Sequence, residues 1–283
     1  MDRTSGLLWA TGRNSNDVYA LSLDTLQTQR RVTVGGAPFG ADLVNGILYV
    51  ANFYDGTISR ILAATRTRLL PDQPVGGEPS WVAADPVTGH VWIPVHQDSA
   101  VAIWGHDTLL RKVPTGGGAF SVAIDAVRRS AYVGNRDSMD VTVLNADTGD
   151  PMGTLYPGGS PFGMAVNPSN GMLYVLHSGA ESGCSVGRMA IFNAAGVRVR
   201  DVAVGNSCPG GWVGVNLSNG RVYVAASAVD QVWVFEWDGA LRSIWTAANG
   251  IGRQPLGLTV DPVTSMIYIA NHVDNSITAI YDP

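Results

Sequence analysis

Short apolar runs alternate with turn residues along the whole chain, and one stretch shows the pattern clearly. The apolar run Gly46–Asn52 (GILYVAN) is followed by the turn residues Phe53–Gly56 and by a second apolar run, Thr57–Ile61. Runs this short, bounded by Asn, Asp and Gly, are typical of β-strands joined by turns. The stretch therefore predicts a β-hairpin.

The same unit recurs through the sequence, and an aromatic residue marks the apolar run of each copy. Successive markers lie 40 to 49 residues apart. The seven markers are Trp9, Tyr49, Trp92, Tyr132, Tyr174, Tyr223 and Tyr268. A repeat of roughly 40–45 residues built from short strands is typical of a β-propeller blade. We therefore predict an all-β, seven-bladed β-propeller of four-stranded antiparallel blades.

A second repeated phrase, rich in glycine and proline, precedes each marker from the second onward. Gly35–Gly40 (GGAPFG) and Gly158–Gly163 (GGSPFG) are two copies. Proline has no amide proton and suits the first residue of a strand, so we predict that this entry phrase opens the first strand of each blade. The prediction is one domain over residues 1–283, with approximate repeats 1–35, 36–75, 76–115, 116–157, 158–205, 206–251 and 252–283.

The two terminal repeats are shorter than the others. Only six residues precede the first marker strand, Leu7–Thr11, and the last strand is Ser276–Tyr281. Twenty-six strands are therefore expected where seven full blades need twenty-eight, so we expect three strands in the first and last blades. The exposed edge of Ser276–Tyr281 could accept a strand from a partner.

The marker runs resemble a known repeat family. The segments LYVAN, AYVGN and IYIAN, with DNSITAI following the last, are similar to the YVTN family of β-propeller repeats, which are WD40-like in architecture. The resemblance covers essentially the whole chain. It implies the propeller fold, and it leaves the function open because the family includes surface-layer proteins, periplasmic binding proteins and parts of larger redox enzymes.

Composition excludes some classes of partner. Only 14% of the residues are charged and the net charge is −5, which argues against a nucleic-acid surface. No apolar run approaches the roughly 18 residues of a membrane span. The N-terminal residues Met1–Ser5 read as neither a signal nor a transit peptide, so the chain is cytoplasmic or has lost a leader. We favour a periplasmic, secreted or cell-surface location.

The candidate site lies on the face that carries the entry loops and the loops between second and third strands. An aromatic rim and three histidines are expected there, as ligand- or partner-binding residues: Phe39, Trp81, His96, Phe120, Phe162, His177, Trp212 and His272. Arg13, Phe53, Glu78, Arg136 and Asp137 belong to the same loops. Aromatic residues with few charges suit a protein loop or a sugar, and packing between blades is an equally good explanation of the rim.

The three histidines leave an enzymatic alternative open. Converging histidines could hold a divalent cation or act as a base, although no His-x-His or Glu-x-x-His spacing supports this. Virginiamycin-lyase-like propellers resemble the chain in fold but place histidines directly after the entry proline, where this chain has Phe39, Ser80, Phe162 and Leu256. The asparagines that end second strands, such as Asn52, are expected to hydrogen-bond within their turns.

The favoured function is a non-catalytic binding module or assembly subunit that recognises a protein or carbohydrate partner, with no cofactor. The alternative is a metal-assisted lyase or lactonase-like enzyme with a funnel histidine site. Cys184 and Cys208, in loops predicted to lie on the same face, are expected to form a disulfide bond, with free buried thiols as the alternative. Asp42 stands where other first strands have small residues and needs a donor, water or an ion.

Overall fold

A computed structural model describes residues 1–105, 108–179, 186–205 and 210–283. Within these residues the chain forms strands and two single-turn 3-10 helices, Ser227–Val229 and Ala247–Asn249. Cys184 and Cys208 lie outside the described residues, so their disulfide bond stays a prediction. Among the described residues no helix has the length and apolar content needed to cross a membrane.

The first four sheets are antiparallel and follow the chain in order. The first sheet contains β1 (Leu7–Gly12), β2 (Asp17–Ser22) and β3 (Thr28–Thr33); the second contains β4 (Pro38–Val44), β5 (Ile47–Asn52), β6 (Thr57–Leu62) and β7 (Thr67–Pro74). The third contains β8 (Ala83–Ala84), β9 (Val91–Val95), β10 (Ala100–Gly105) and β11 (Thr108–Pro114); the fourth contains β12 (Ala119–Asp125), β13 (Ser130–Asn135), β14 (Asp140–Asn145) and β15 (Pro151–Leu155).

The last three sheets repeat the arrangement. The fifth contains β16 (Pro161–Asn167), β17 (Met172–Ser178), β18 (Gly187–Phe192) and β19 (Arg198–Val204); the sixth contains β20 (Val213–Val215), β21 (Val222–Ala226), β22 (Gln231–Phe235) and β23 (Leu241–Trp245). The seventh contains β24 (Pro255–Asp261), β25 (Met266–Asn271) and β26 (Ser276–Tyr281).

These seven sheets confirm the predicted fold class, a seven-bladed β-propeller. The five internal sheets have four strands, and the first and last have three, as the strand count predicted. In its sheet β26 pairs with β25 alone, and its residues are half-exposed where the equivalent β10 is buried throughout. Addition of a partner strand at this edge stays a prediction.

Contacts divide the chain into two compact units. The first unit comprises residues 1–138 and 142–153, and the second comprises residues 139–141 and 154–283. The first unit therefore holds nearly all of the first four sheets, and the second unit holds the last three.

The middle strands of the sheets form the core. All residues of β9 and β13 are buried, whereas β3 and β11 at the sheet edges are mostly exposed. One core cluster joins Trp92 and Val101 of the third sheet to Val122 and Val133 of the fourth. Burial on both faces explains why the marker strands are continuous apolar runs and not strictly alternating ones.

The carboxylate of Asp42 accepts hydrogen bonds from two backbone amides. Its Oδ2 accepts a hydrogen bond from the Ala84 amide (2.9 Å) and its Oδ1 accepts one from the Leu43 amide (2.8 Å). Burial raises the pKa of the Asp42 carboxyl group, and these donors oppose that effect. Asp42 thus joins β4 to β8, the two-residue first strand of the next sheet.

Candidate functional site

An aromatic cluster forms at one end of the sheets of the first unit. Phe39 lies in β4, Phe53 follows β5, Trp81 precedes β8 and Phe120 lies in β12. The centroid of the Phe39 ring is 6.3 Å from Phe53, 6.3 Å from Trp81 and 5.7 Å from Phe120. All four side chains are partly exposed. The first unit therefore brings together three of the predicted rim residues, Phe39, Trp81 and Phe120, and adds Phe53.

The rings meet at large angles. Phe39 is inclined by 78° to Trp81, by 66° to Phe120 and by 41° to Phe53. Edge-to-face contact is a favoured geometry for aromatic pairs because it places the positive ring edge against the negative ring face. The cluster is thus a faceted apolar surface, and the flat rings do not share one plane.

Two arginines flank this cluster. The guanidinium carbon of Arg13 lies 5.3 Å from the Phe39 ring centroid and 5.7 Å from that of Phe53. The guanidinium carbon of Arg136 lies 4.7 Å from the Phe120 centroid. Cation–π contact at these distances holds the cations against the rings. Burial lowers the pKa of Arg136, and the neighbouring Asp137 opposes the shift. We call these six residues, Arg13, Phe39, Phe53, Trp81, Phe120 and Arg136, the aromatic–arginine cluster.

Backbone contacts between neighbouring sheets hold the cluster in place. The Thr11 hydroxyl donates to the Phe39 carbonyl (2.8 Å), and the Ser80 hydroxyl donates to the Phe120 carbonyl (2.6 Å). A Cβ atom at Gly40 would lie 2.6 Å from the Trp81 Cα atom, so only glycine permits this approach of two sheets. The backbone at Phe39, Trp81 and Phe120 is therefore fixed by contacts with the neighbouring sheet.

His96 lies between two carboxylates of the same unit. Its Nδ1 is 3.1 Å from Glu78 Oε2 and its Nε2 is 3.7 Å from Asp137 Oδ1. All three groups are partly or largely exposed. This arrangement links the entry loop of the third sheet to the loop after β13, next to Arg136.

The two predicted rim residues of the second unit differ in exposure, and Phe162 is partly exposed. Trp212 is buried, and Phe162 packs against the core cluster that includes Leu176 and Val213. Gly163 approaches Trp212 as closely as Gly40 approaches Trp81. A Cβ atom at Gly163 would lie 2.6 Å from the Trp212 Cα atom. The backbone at Trp212 therefore closely approaches the fifth sheet, and the side chain is buried. Its part in binding stays a prediction.

His177 is buried at the end of β17. Its Nε2 is 3.3 Å from Asp201 Oδ1, and Arg188 Nε donates to Asp201 Oδ2 (3.0 Å). Burial lowers the pKa of His177, the Asp201 carboxylate opposes that shift, and the Arg188 charge adds to it. The group crosses three strands, β17, β18 and β19. Asp201 and Arg188 were not among the sequence candidates because cross-strand register brings them to His177.

His272 follows β25, and its backbone amide donates to the Gln254 carbonyl (2.9 Å). Nearby, Asp274 accepts hydrogen bonds from the Arg253 amide (2.6 Å) and from Arg253 Nε (2.7 Å). Asp55 of the second sheet likewise accepts from the Gly36 amide (2.6 Å). Aspartates at these loops therefore hold the entry phrases.

The asparagines that end second strands are structural, with partners other than the expected turn backbone. Asn52 Nδ2 donates to the hydroxyls of Thr57 (3.0 Å) and Ser59 (2.9 Å). Asn271 Nδ2 donates in the same way to Ser276 (3.1 Å) and Thr278 (2.9 Å). These bonds tie the second strand to the third. In the fifth sheet His177 replaces the asparagine and uses Asp201 instead.

The described residues contain no group of three or more His, Cys, Asp or Glu side chains that could hold a metal ion. The divalent cation considered from the sequence and the histidine-based alternative therefore stay predictions. Arg13, Phe53, His96 and Arg136 each directly follow the marker strand of one of the first four sheets, which is β1, β5, β9 or β13. A comparison of the residues that follow the marker strands therefore points to Arg13, Phe53 and Arg136 as parts of the candidate site.

Comparison with known proteins gives the fold alone. No protein-family model matches the chain, and no curated protein sequence matches it significantly. A solved chain of Kuenenia stuttgartiensis hydrazine synthase is similar in structure, with a TM-score of 0.85, 15% identity, and coverage of 100% of this chain and 94% of that chain. A chain of a mitotic checkpoint complex has a TM-score of 0.78 and 12% identity, covering 94% of this chain and 82% of that one.

Proposed function

We propose that this protein is a non-catalytic binding module that captures a protein partner through the aromatic–arginine cluster. The observation that carries the proposal is the set of four partly exposed rings with a guanidinium at each side. Aromatic and arginine side chains are the residue types that contribute most to protein interfaces.

The shape of the cluster favours a protein over a carbohydrate. A sugar ring stacks best on one flat aromatic face, whereas these rings meet at angles up to 78°. A faceted apolar surface suits side chains of differing shape. The guanidinium of Arg13 favours a partner segment that carries a carboxylate beside an apolar side chain, because arginine pairs with carboxylates through parallel hydrogen bonds.

Peptide display on the full chain tests this proposal. We expect selection to enrich sequences with Asp or Glu beside an aromatic or aliphatic residue. Titration calorimetry should show that Phe39→Ala weakens the selected peptide by at least about tenfold, which is the loss of one well-packed contact. Tyr156→Ala is the matched control, because Tyr156 is an exposed aromatic residue (69%) outside the cluster.

Two outcomes would overturn the proposal. Selected peptides whose affinity is equal for the wild type and the Phe39→Ala variant would place binding elsewhere. A glycan array that shows Phe39-dependent binding, with no peptide selected, would make the partner a carbohydrate. The enzymatic alternative has its own test, which is a stoichiometric metal in the purified protein that is lost in the His177→Ala variant.

A further inference from the structure

The seventh sheet ends in a strand that has a neighbour on one side. β26 pairs with β25 and, among the described residues, with no other strand. In the five four-stranded sheets the strand equivalent to β26 is followed by a fourth strand, and in the first sheet β2 is followed by β3. The outer side of β26 therefore presents backbone donors and acceptors that an added strand can use.

The sequence of β26 contains nothing that protects this edge. Natural proteins block open sheet edges with charged residues or proline. The strand that ends each of the other six sheets contains at least one such residue: Arg30 in β3, Arg68 in β7, Arg111 in β11, Pro151 in β15, Arg198 in β19 and Arg242 in β23. The sequence of β26, SITAIY, has neither a charge nor a proline. Its edge is thus open to pairing.

Hydrogen bonds to other residues of the second unit hold β26 in place. The Thr278 hydroxyl donates to the Gly250 carbonyl (2.7 Å). Directly after β26, the Asp282 carboxylate accepts from the Tyr223 hydroxyl (2.7 Å) and from Arg221 Nη1. A strand that is already ordered loses little conformational freedom on binding, so β26 is a suitable template for a partner strand.

The other sheets show which side chain an added strand would place opposite β26. Val32 of β3 lies opposite Val18 of β2, and Val113 of β11 lies opposite Val101 of β10. All four valines are buried. Ile277 is the second residue of β26, as Val18 and Val101 are of their strands, but it is partly exposed. A valine opposite Ile277 would bury both side chains.

The residue before that valine is basic in both sheets. Arg31 Nε donates to Asp17 Oδ2 (2.7 Å), and Lys112 Nζ donates to Asp98 Oδ2. Asp17 begins β2, and Asp98 lies two residues before β10. The outer strand thus carries a basic residue followed by valine, and the basic residue pairs with an acid at the start of the neighbouring strand.

The seventh sheet has the corresponding acid. Asp274 lies two residues before β26, as Asp98 does before β10. Its carboxylate accepts from the Arg253 amide (2.6 Å) and from Arg253 Nε (2.7 Å), and the Asp274 and Arg253 side chains are 30% and 67% exposed. A carboxylate has about four acceptor positions, so Asp274 can accept a further hydrogen bond. The edge is therefore complementary in charge to a strand with a basic residue at this position.

We propose that β26 accepts an extended, antiparallel segment of a partner protein as the fourth strand of the seventh sheet. The segment contains Arg or Lys followed by Val, with the valine opposite Ile277 and the basic side chain at Asp274. Main-chain hydrogen bonds supply the affinity, and these two side chains supply the specificity. The interaction uses no residue of the aromatic–arginine cluster, so it is independent of the function proposed above.

Hydrogen exchange of the full chain tests the proposal with a copy of one of its own outer strands as the probe. The capped peptide TQRRVTVG has the sequence of residues 28–35. It should slow the exchange of the β26 amides that do not bond to β25, and a scrambled peptide of the same composition should not. The Val32→Asp form of the peptide should bind at least about tenfold more weakly, because the buried valine contact is lost.

A variant of the chain checks the register. Asp274→Asn should weaken the peptide by about threefold, the value of a partly exposed charge pair. Asp55→Asn is the matched control, because Asp55 accepts from the Gly36 amide (2.6 Å) in the second sheet, where a fourth strand is already present. A peptide with norleucine in place of Arg31 should show the same threefold loss, and it keeps the comparison decisive if Asp274→Asn fails to fold.

Several outcomes would overturn the proposal. It is wrong if the peptide does not slow exchange in β26, if the scrambled peptide slows it equally, or if the slowed amides lie in the first sheet. Equal affinity of the wild type and Asp274→Asn for the peptide, or of the two peptides for the wild type, would remove the role of the basic residue. A dimer in sedimentation whose β26 amides are protected without peptide would make the occupant a second copy of the chain.

Discussion

Two arginines of the first unit have opposite surroundings. Arg129 makes a bidentate contact with Asp85, with Nη1–Oδ1 at 3.0 Å and Nη2–Oδ2 at 2.6 Å, and also contacts Asp147. Arg13 lies against the rings of Phe39 and Phe53 and makes no ion pair among the described residues. Arg129 thus links two turns, whereas Arg13 is a cation whose N–H donors have no ion-pair partner among the described residues.

The difference follows from what each guanidinium faces. Asp85 is fully buried, so its charge requires a partner, and Arg129 supplies it from the turn of the next sheet. The rings beside Arg13 require no partner, and they leave its N–H groups available to an anion. We therefore expect substitution of Arg129 to affect mainly stability, and substitution of Arg13 to affect mainly the proposed binding.

The largest expected effect is on stability. Arg129→Met should lower the free energy of unfolding by about 3 kcal/mol or more, because it leaves the buried Asp85 carboxylate without its partner. Urea unfolding at neutral pH measures the loss. Asp147→Asn is the control and should cost under about 1 kcal/mol, since Asp147 is half-exposed. If Arg129→Met costs less than about 1 kcal/mol, Arg129 contributes no more to stability than an exposed arginine does.

Acid should weaken the same link. Burial opposes ionisation of Asp85, but the hydrogen bonds from Arg129 and Thr88 outweigh it and lower the Asp85 pKa to about 2, below its ordinary value of 3.8. The contribution of this group is therefore present above about pH 4 and is lost as the pH falls toward 2. We expect it to be about 1–2 kcal/mol, which allows for solvent around the partly exposed Arg129.

Urea unfolding between pH 2 and pH 5 measures this pH dependence, and Asp85→Asn should flatten it over that range. An Asp85→Asn variant that keeps the wild-type pH dependence would assign the effect to other carboxyl groups.

The next effect is on binding alone. Arg13→Met should weaken a carboxylate-bearing selected peptide by about tenfold, the value of one charge-assisted contact, and should change the unfolding free energy by less than about 0.5 kcal/mol. Calorimetric titration and urea unfolding on the same samples separate the two quantities. A stability loss as large as that of Arg129→Met would mean that Arg13 is structural.

The smallest expected effect comes from a paired but exposed arginine. Arg242 Nη1 lies 2.9 Å from Glu236 Oε1, and the two side chains are 46% and 37% exposed. Arg242→Ala should cost less than about 0.5 kcal/mol in urea unfolding because solvent screens the pair. A cost comparable to that of Arg129→Met would show that pairing alone, without burial, decides the contribution of an arginine here.

The sequence alone determined the fold class of this protein and its strand count. A marker such as Tyr49 within a short apolar run, repeated at a near-constant interval, predicts blades because each repeat must bury the same middle strands. The short terminal repeats correctly predicted the three-stranded first and last sheets. These features are local, so a single chain read in order contains them.

Only the tertiary structure decided which side chains meet. Arg13 and Phe39 are distant in the sequence but adjacent in space, because Arg13 follows the end of β1 and Phe39 lies at the start of β4 in the neighbouring sheet. Gly40 and Gly163 approach Trp81 and Trp212 at the same distance, yet Trp81 is partly exposed beside Phe39 and Trp212 is buried. A sequence repeat specifies the backbone position of a residue. The burial and the partners of its side chain depend on the residues that the neighbouring sheet places opposite it.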